Sequence, residues 1–426
     1  MIRTIARYGA RHIPGTFVSA LKTMVCGQGI RGPCIAEFER RFAEYHGMSH
    51  AIATSYGRMA FYYILRALDF PPGSEIIFPA LTFWVVPEIA RSLHYRPVFV
   101  DIDPATLTID PVRLQAAITP RTRAVVPTHL YGQSCDMDPI MRLARTHKLI
   151  VIEDCAHALG ATYKGRKAGT WGDASFFSFQ MLKPLNTYGG GMAITNDETL
   201  AARIRAFAET ETWPEPKDVA KKILFGNLQR RLIGPYGFTF TMFLAFYIAS
   251  FFGDYDLSRY LWEKIRRLSP LPESYRRRYS NAQALIGLKM LENIDALNAL
   301  NRAHAGRLSA ALRDVDGIQT PAGAPETESV FYQYCIRAED PELVKHRSIR
   351  AGVDVEIMHV DICNVLDIFA EFKTQCPVAE ATQHTLQLPV YASLTEKDLD
   401  RIIDVIREAL RPSGKLVTAT ERTTPR

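Results

Sequence analysis

An α/β fold with a large, mainly parallel sheet and a smaller C-terminal α+β domain is predicted from two features. From Glu37 to Asp197, short apolar runs alternate with amphipathic segments joined by short turns, the pattern of strands and covering helices in one sheet. Within it, the continuous apolar run Leu149 to Ile152 has no polar alternation, as expected of a strand buried on both faces. That run ends in Glu153-Asp154, and a second such run ends just before Lys183. In folds of this kind ligands sit beyond the carboxyl ends of the strands, which is where both residues fall.

The elements follow in order. Met59 to Leu68 carries Met59, Phe61, Ile64, Leu65 and Leu68 at helical spacing, after a strand that ends near Ser55. Glu75 to Phe78, Pro97 to Ile102 and Arg123 to Pro127 read as strands, the last followed by the turn Tyr131 to Ser134. Met137 to His147 reads as a helix, Lys148 to Glu153, Ala174 to Phe179 and Gly191 to Thr195 as strands, and Leu200 to Thr210 as a helix. Asn281 to Leu312 forms one long helix or two, Val330 to Arg337 a strand, and Thr395 to Arg411 a closing helix with Thr395 as N-cap. Chain organisation is expected as an arm over 1–36, a large cofactor-binding domain over 37–210, an apolar and basic insertion over 211–275, a small domain over 276–412 and a disordered tail over 413–426.

Composition is that of a soluble globular protein, 47% hydrophobic and 23% charged. A net charge of +6 does not argue for nucleic acid, and none is expected as a partner. The charge is uneven. Lys217 to Arg278 holds twelve Lys or Arg against five Asp or Glu. Inside that stretch, Leu232 to Gly253 has no charged residue, and Phe238 to Phe252 reads FTFTMFLAFYIASFF. It is short for a membrane span and broken by Gly234, Pro235 and Gly237, leaving a buried hairpin packed under a domain or into a dimer interface, or a basic-flanked dip into a membrane surface through 232–253. Seven scattered cysteines without a Cys-x-x-Cys pair suggest free thiols. The first sixteen residues show no apolar signal core, so a cytoplasmic protein, with membrane association through 232–253 as the alternative, is expected.

The chemistry is carried by pairing. Lys183 follows Met181-Leu182, where partial desolvation favours a free amine able to form an imine, and Gly189-Gly190-Gly191 comes soon after. Asp154 can hold a pyridine ring nitrogen in its protonated form. An amine for the aldehyde and an acid for the ring are what pyridoxal 5'-phosphate (PLP) requires. Ser55 to Ala60 joins a strand to a helix, so N–H groups of Gly57, Arg58 and Met59, with the Ser178 hydroxyl and the Arg58 charge, form a candidate phosphate cradle. Phe83 is a candidate for stacking on the ring, against an ordinary core role, and His157 for contacting the ring or orienting Asp154, against a structural role.

Taken together, Ile152 to Ala161, Phe177-Ser178-Phe179 with Lys183, Gly32-Pro33 with Glu37 to Glu39, Pro97 to Asp103, His129 to Gln133, Pro377 to Glu380 and Leu388-Pro389 resemble the DegT/DnrJ/StrS family of PLP-dependent sugar aminotransferases. The resemblance runs from about Gly29 to Leu410. It implies fold type I, a homodimer with active sites at the subunit boundary, L-glutamate as amino donor, and a keto group on a nucleotide-linked deoxysugar as acceptor. It also implies that Lys183 forms the covalent imine, Asp154 binds the pyridine nitrogen, His157 lies beside the ring, Ser178 holds phosphate and Phe83 stacks. Where the family places an Asn from the partner subunit near the phosphate, this chain has Arg276 and Arg278 in its place. The apolar, basic stretch over 215–274 departs from the family pattern and leaves an aminotransferase of a lipid-linked or amphiphilic keto substrate as an alternative. A catalytically silent regulatory or binding protein of the same fold is another, opposed by the retained Lys183 and Asp154.

Overall fold

The computed structural model describes residues 4–252, 263–357 and 360–411. The chain opens with α1 (Thr16–Val25) and α2 (Cys34–His46), then β1 (His50–Thr54), α3 (Gly57–Leu68), β2 (Glu75–Pro79), α4 (Val85–Ser92), β3 (Arg96–Val100), α5 (Pro111–Ala117), β4 (Thr122–Val125), α6 (Met137–His147) and β5 (Ile150–Asp154). It continues through β6 (Thr162–Tyr163), β7 (Arg166–Lys167), β8 (Ala174–Ser178), β9 (Gly191–Thr195) and α7 (Glu198–Thr210) to the insertion helices α8 (Pro216–Leu232), α9 (Pro235–Phe240) and α10 (Met242–Ala249). The remainder is α11 (Asn281–Leu291), α12 (Ile294–Leu312), β10 (Ile318–Gln319), β11 (Thr327–Glu328), β12 (Tyr334–Ala338), α13 (Pro341–Arg350), β13 (Glu356–Ile357), α14 (Pro377–Glu380), β14 (Thr385–Leu388) and α15 (Glu396–Leu410).

The large sheet has seven strands in the order β1-β9-β8-β5-β4-β2-β3. Strands β8, β5, β4, β2 and β3 pair in parallel, and only β9 runs against its neighbours. Strand alternation divides the core. Ile76, Phe78 and Phe176 point to one layer with α3, α4 and α7; Ile77, Val125 and Val151 point to the other with α6. Phe177, one position on from Phe176, joins Phe38, Phe42 and Phe179 under α2 and α11. Each such buried ring contributes about 1.5–3 kcal/mol relative to exposure. A second sheet, β10-β12-β14-β13, packs against α12, α13 and α15 around Tyr334, Ile336 and Leu386, and Ile5 of the N-terminal arm enters the same core.

Local sequence sets the helix ends. Asp110, Asp197 and Ser280 each accept a backbone N–H at the start of α5, α7 and α11, caps worth about 1 kcal/mol. Thr395 and Asp398 cap α15 reciprocally, as the sequence predicts. Asn281 to Leu312 is two helices, parted at Glu292-Asn293. The strand expected from Val330 begins at Tyr334, because Val330 and Gln333 donate instead to the carbonyls of Gly132 and Tyr131 in the large domain. None of the seven cysteines is in a disulfide.

Among the described residues of this one chain, the insertion is covered on one side only. Phe238 and Phe246 are buried against Ala6 and Ile349, while Tyr236, Phe240, Leu244, Ile248, Phe251 and Phe252 stay exposed. Among the described residues no helix is long and apolar enough to cross a membrane. Gly253, at the end of the apolar run, and the tail over 413–426 lie outside the described residues.

Candidate active site

The carboxyl ends of β1, β2, β5 and β8 lie at one edge of the large sheet, and the predicted residues fall just beyond them. Asp154 closes β5. Its N–H donates to Pro127 O (2.9 Å) and its carbonyl accepts from His129 N (3.0 Å), so its backbone is fixed by the neighbouring strand. Its Oδ1 accepts the Ala156 N–H (3.0 Å), and Oδ2 has no hydrogen-bond partner among the described residues. Burial pushes the carboxyl up to about 6, although the Ala156 N–H and the charges of Lys183 and His129 pull the other way.

Beneath Asp154, Glu153 is fully buried. It accepts His129 Nε2–H (2.8 Å) and the N–H groups of Gly169, Trp171 and Gly172 (2.7–2.8 Å). Burial raises this carboxyl, but these donors outweigh it and hold it below its ordinary value. His129, Glu153 and Cys155 cluster closely enough to consider a metal. Both Glu153 oxygens are already saturated by donors, and His129 Nδ1 accepts the Cys135 N–H, so the cluster is a hydrogen-bonded support for the strand end.

Lys183 comes after β8, held by its N–H to Gln180 O (2.9 Å). The side chain is half-buried, and its amine lies 5.1 Å from the centre of the Tyr332 ring. Burial lowers the amine to about 8, helped by the Arg58 charge and opposed by Asp154. His157 packs its ring against Tyr332 at 4.5 Å. Burial, then the Lys183 charge, holds His157 well below its ordinary pKa, and its buried Nδ1 has no partner.

The turn from β1 into α3 meets the end of β8. A Cβ on Gly57 would stand 2.8 Å from Phe177 O and 2.9 Å from Ser178 Cβ, so the bare backbone is required there. Gly190 has φ +119° and lies against Tyr279, where a Cβ would approach the ring to 2.4 Å. Met59 is buried, with its N–H donating to Tyr56 O. Arg58 turns away from a pure phosphate role. Its guanidinium pairs with Glu263 (2.7 Å) and Tyr275 OH (2.7 Å) and lies 5.7 Å from the Phe83 ring centre. Arg276 and Arg278 face Glu211 (3.2 Å) and the Trp213 ring (4.1 Å) at the surface.

Two residues that sequence reasoning missed lie beside Lys183. Tyr332 covers both Lys183 and His157. Arg11, from the N-terminal arm, is buried, donates to Asn298 Oδ1 (2.7 Å) and Pro184 O (3.2 Å), and keeps Nη2 without a partner. Burial lowers it to about 10. In the sequence Arg11 is one of three arginines in the arm, with Arg3 and Arg7, and nothing local marked it or Tyr332 for the site.

These features fit PLP: an unpaired carboxylate oxygen for the ring N–H, a free amine for the aldehyde, and a backbone cradle that excludes a Cβ. Fold and site together define a PLP-dependent aminotransferase of fold type I. The profile of the DegT/DnrJ/EryC1/StrS aminotransferase family matches residues 16–229 and 256–407, and the chain belongs to that family. It is 34% identical to GDP-perosamine synthase of Caulobacter vibrioides, over 89% of this chain and 91% of that protein. It is 30% identical to a dTDP-3-amino-3,4,6-trideoxy-alpha-D-glucose transaminase of Micromonospora megalomicea, over 91% and 93% of the two chains. A solved DegT DnrJ EryC1 StrS aminotransferase from Brucella abortus superposes with a TM-score of 0.75 at 26% identity, covering 93% of this chain and 96% of that one.

Proposed function

We propose that this enzyme moves an amino group from an amino acid, L-glutamate, to a keto group on a nucleotide-linked deoxysugar. The observation that carries the reading is that Asp154 closes β5 and Lys183 follows the adjacent parallel strand β8, with the Lys183 amine and the His157 ring against the same Tyr332 ring. Relatives named for GDP- and dTDP-sugar amination support the acceptor class.

When bound, PLP supplies an aldehyde for amine exchange and a protonated ring that accepts carbanion electrons. Asp154 Oδ2 would hold the ring N–H, and Ser178 with the N–H groups of Gly57 and Arg58 would hold the phosphate, the expected Met59 N–H being already spent on Tyr56 O. Lys183 Nζ, with its pKa lowered to about 8, accepts and returns the mobile proton near neutral pH. His157, neutral under these conditions, lines the ring's edge without adding a charge. Phe83 offers a stacking face, and Tyr332 shields the Lys183 amine from water. The unpaired Nη2 of Arg11 receives the donor's carboxylate. The working unit is a homodimer in which Arg276 and Arg278 complete the partner's phosphate site; their place at the surface, on Glu211 and the Trp213 ring, supports this. Borohydride trapping tests the assignment directly: the phosphopyridoxyl label should map to the peptide bearing Lys183, and a label elsewhere refutes it. A screen of GDP-, dTDP- and UDP-linked keto sugars with L-glutamate tests the acceptor class, and no amination of any of them refutes it.

A further inference from the structure

Residues 230–255 fall between the two stretches that match the family profile, so the family's shared activity does not account for them. Helix α10 reads Met-Phe-Leu-Ala-Phe-Tyr-Ile-Ala without a charged residue. A helix apolar on every face needs a cover on every face. One side has it: Phe238 and Phe246 pack on Ala6 and Ile349, and Arg350 Nη2–H donates to Ser250 O (2.7 Å), fixing the unit to α13 and the arm. The other side has none among the described residues. Phe240, Leu244, Ile248 and Phe252 stand exposed, Phe252 at 86%, and so do Leu224, Phe225, Leu228 and Leu232 of α8, the helix that packs against α9.

A basic flank adjoins this apolar face. Lys217, Lys221 and Arg231 are exposed on α8, against Asp218 on the same helix. An interface between two copies of this face would bring two net-positive surfaces together, three exposed cations against one acid on α8 of each copy. An anionic lipid surface is complementary to both parts, with headgroups for the lysines and the acyl boundary for the rings. Length excludes crossing: eight residues of α10 rise about 12 Å against a hydrocarbon core of about 30 Å. We infer that the outer face of α8 to α10 docks on an anionic phospholipid membrane, lying in its interface. Through α8 this surface reaches the active-site turn, since Gly226 packs against Tyr188 and the Lys222 amine lies 5.0 Å from the Tyr56 ring centre.

The test is flotation of the PLP-loaded, full-length protein with vesicles of phosphatidylcholine alone and of equal parts phosphatidylcholine and phosphatidylglycerol. The protein should float with the mixed vesicles, less so in high salt, and not with phosphatidylcholine alone. Phe240→Glu with Ile248→Glu, and separately Lys221→Glu with Arg231→Glu, should each weaken binding by roughly tenfold or more while transamination and the visible cofactor absorbance are unchanged. Flotation does not depend on turnover, so its result is independent of the substrate reading. The inference is overturned if the wild-type protein ignores anionic vesicles, or if the Phe240→Glu/Ile248→Glu variant floats as well as wild type. It is equally overturned if that variant changes only the sedimentation mass, which would assign the face to a second copy of the chain.

Discussion

Gly57 touches Ser178: a Cβ on the glycine would come within 2.9 Å of the serine Cβ and 2.8 Å of the carbonyl before it. The contact joins the start of α3 to the end of β8 and leaves backbone, not side chain, facing the phosphate position. Gly57→Ala must displace main chain, a cost of about 1–3 kcal/mol of overpacking. The expected result is a folded protein by circular dichroism that needs at least about tenfold more PLP for half-saturation, read by visible absorbance.

Burial of Asp154 costs stability once its carboxyl ionises. Its carboxyl is raised from 3.8 to about 6, so its stability contribution is present below 3.8 and lost as pH rises through 6. At neutral pH the cofactor-free protein carries a buried, incompletely partnered anion. Asp154→Asn should therefore raise the melting temperature of the cofactor-free protein at pH 7.5, with the gain shrinking below about pH 6, while transamination is lost. Differential scanning calorimetry across pH checks both halves.

In the proposed mechanism Lys183 is both the covalent anchor and the proton carrier, and Lys183→Ala removes both. Transfer from labelled L-glutamate should fall by at least ~10²–10⁴. Added methylamine should restore a small part of it, which a merely misfolded variant would not show.

Arg11 is expected to act on the donor and not on the sugar. Arg11→Met should raise KM for L-glutamate by about tenfold or more and leave KM for the keto sugar near its wild-type value, since one charge-assisted pair contributes roughly 1.5–3 kcal/mol. Steady-state kinetics with each substrate varied in turn separates the two.

Arg276→Ala with Arg278→Ala should lower PLP affinity without changing the mass measured by light scattering. Mixed dimers of this variant with a Lys183→Ala chain should regain part of the activity, because one of the two sites then has its own lysine and the partner's arginines.

Most strands of the large sheet and several helices were legible in the residues, because each depends on local periodicity: Met137 to His147 and Gly191 to Thr195 form as read, while α1, α2, α13 and the short strands β10, β11, β13 and β14 were not read. Lys183 and Asp154 were legible too, as each follows an apolar run whose end in an α/β sheet faces the ligand side. Arg58 was read as a phosphate charge, but its partners Glu263 and Tyr275 come from the insertion, beyond the reach of any local pattern.

By itself the sequence determined the strands, the caps and the pair of groups able to hold PLP, since these follow from neighbours along the chain. Only the tertiary structure decided that Tyr332 lies over Lys183, that Arg11 reaches Pro184 and Asn298, and which side of α10 is left bare. Those contacts join segments far apart in the chain, and their geometry is set by how the layers pack, a property of the whole fold and of no single stretch of it.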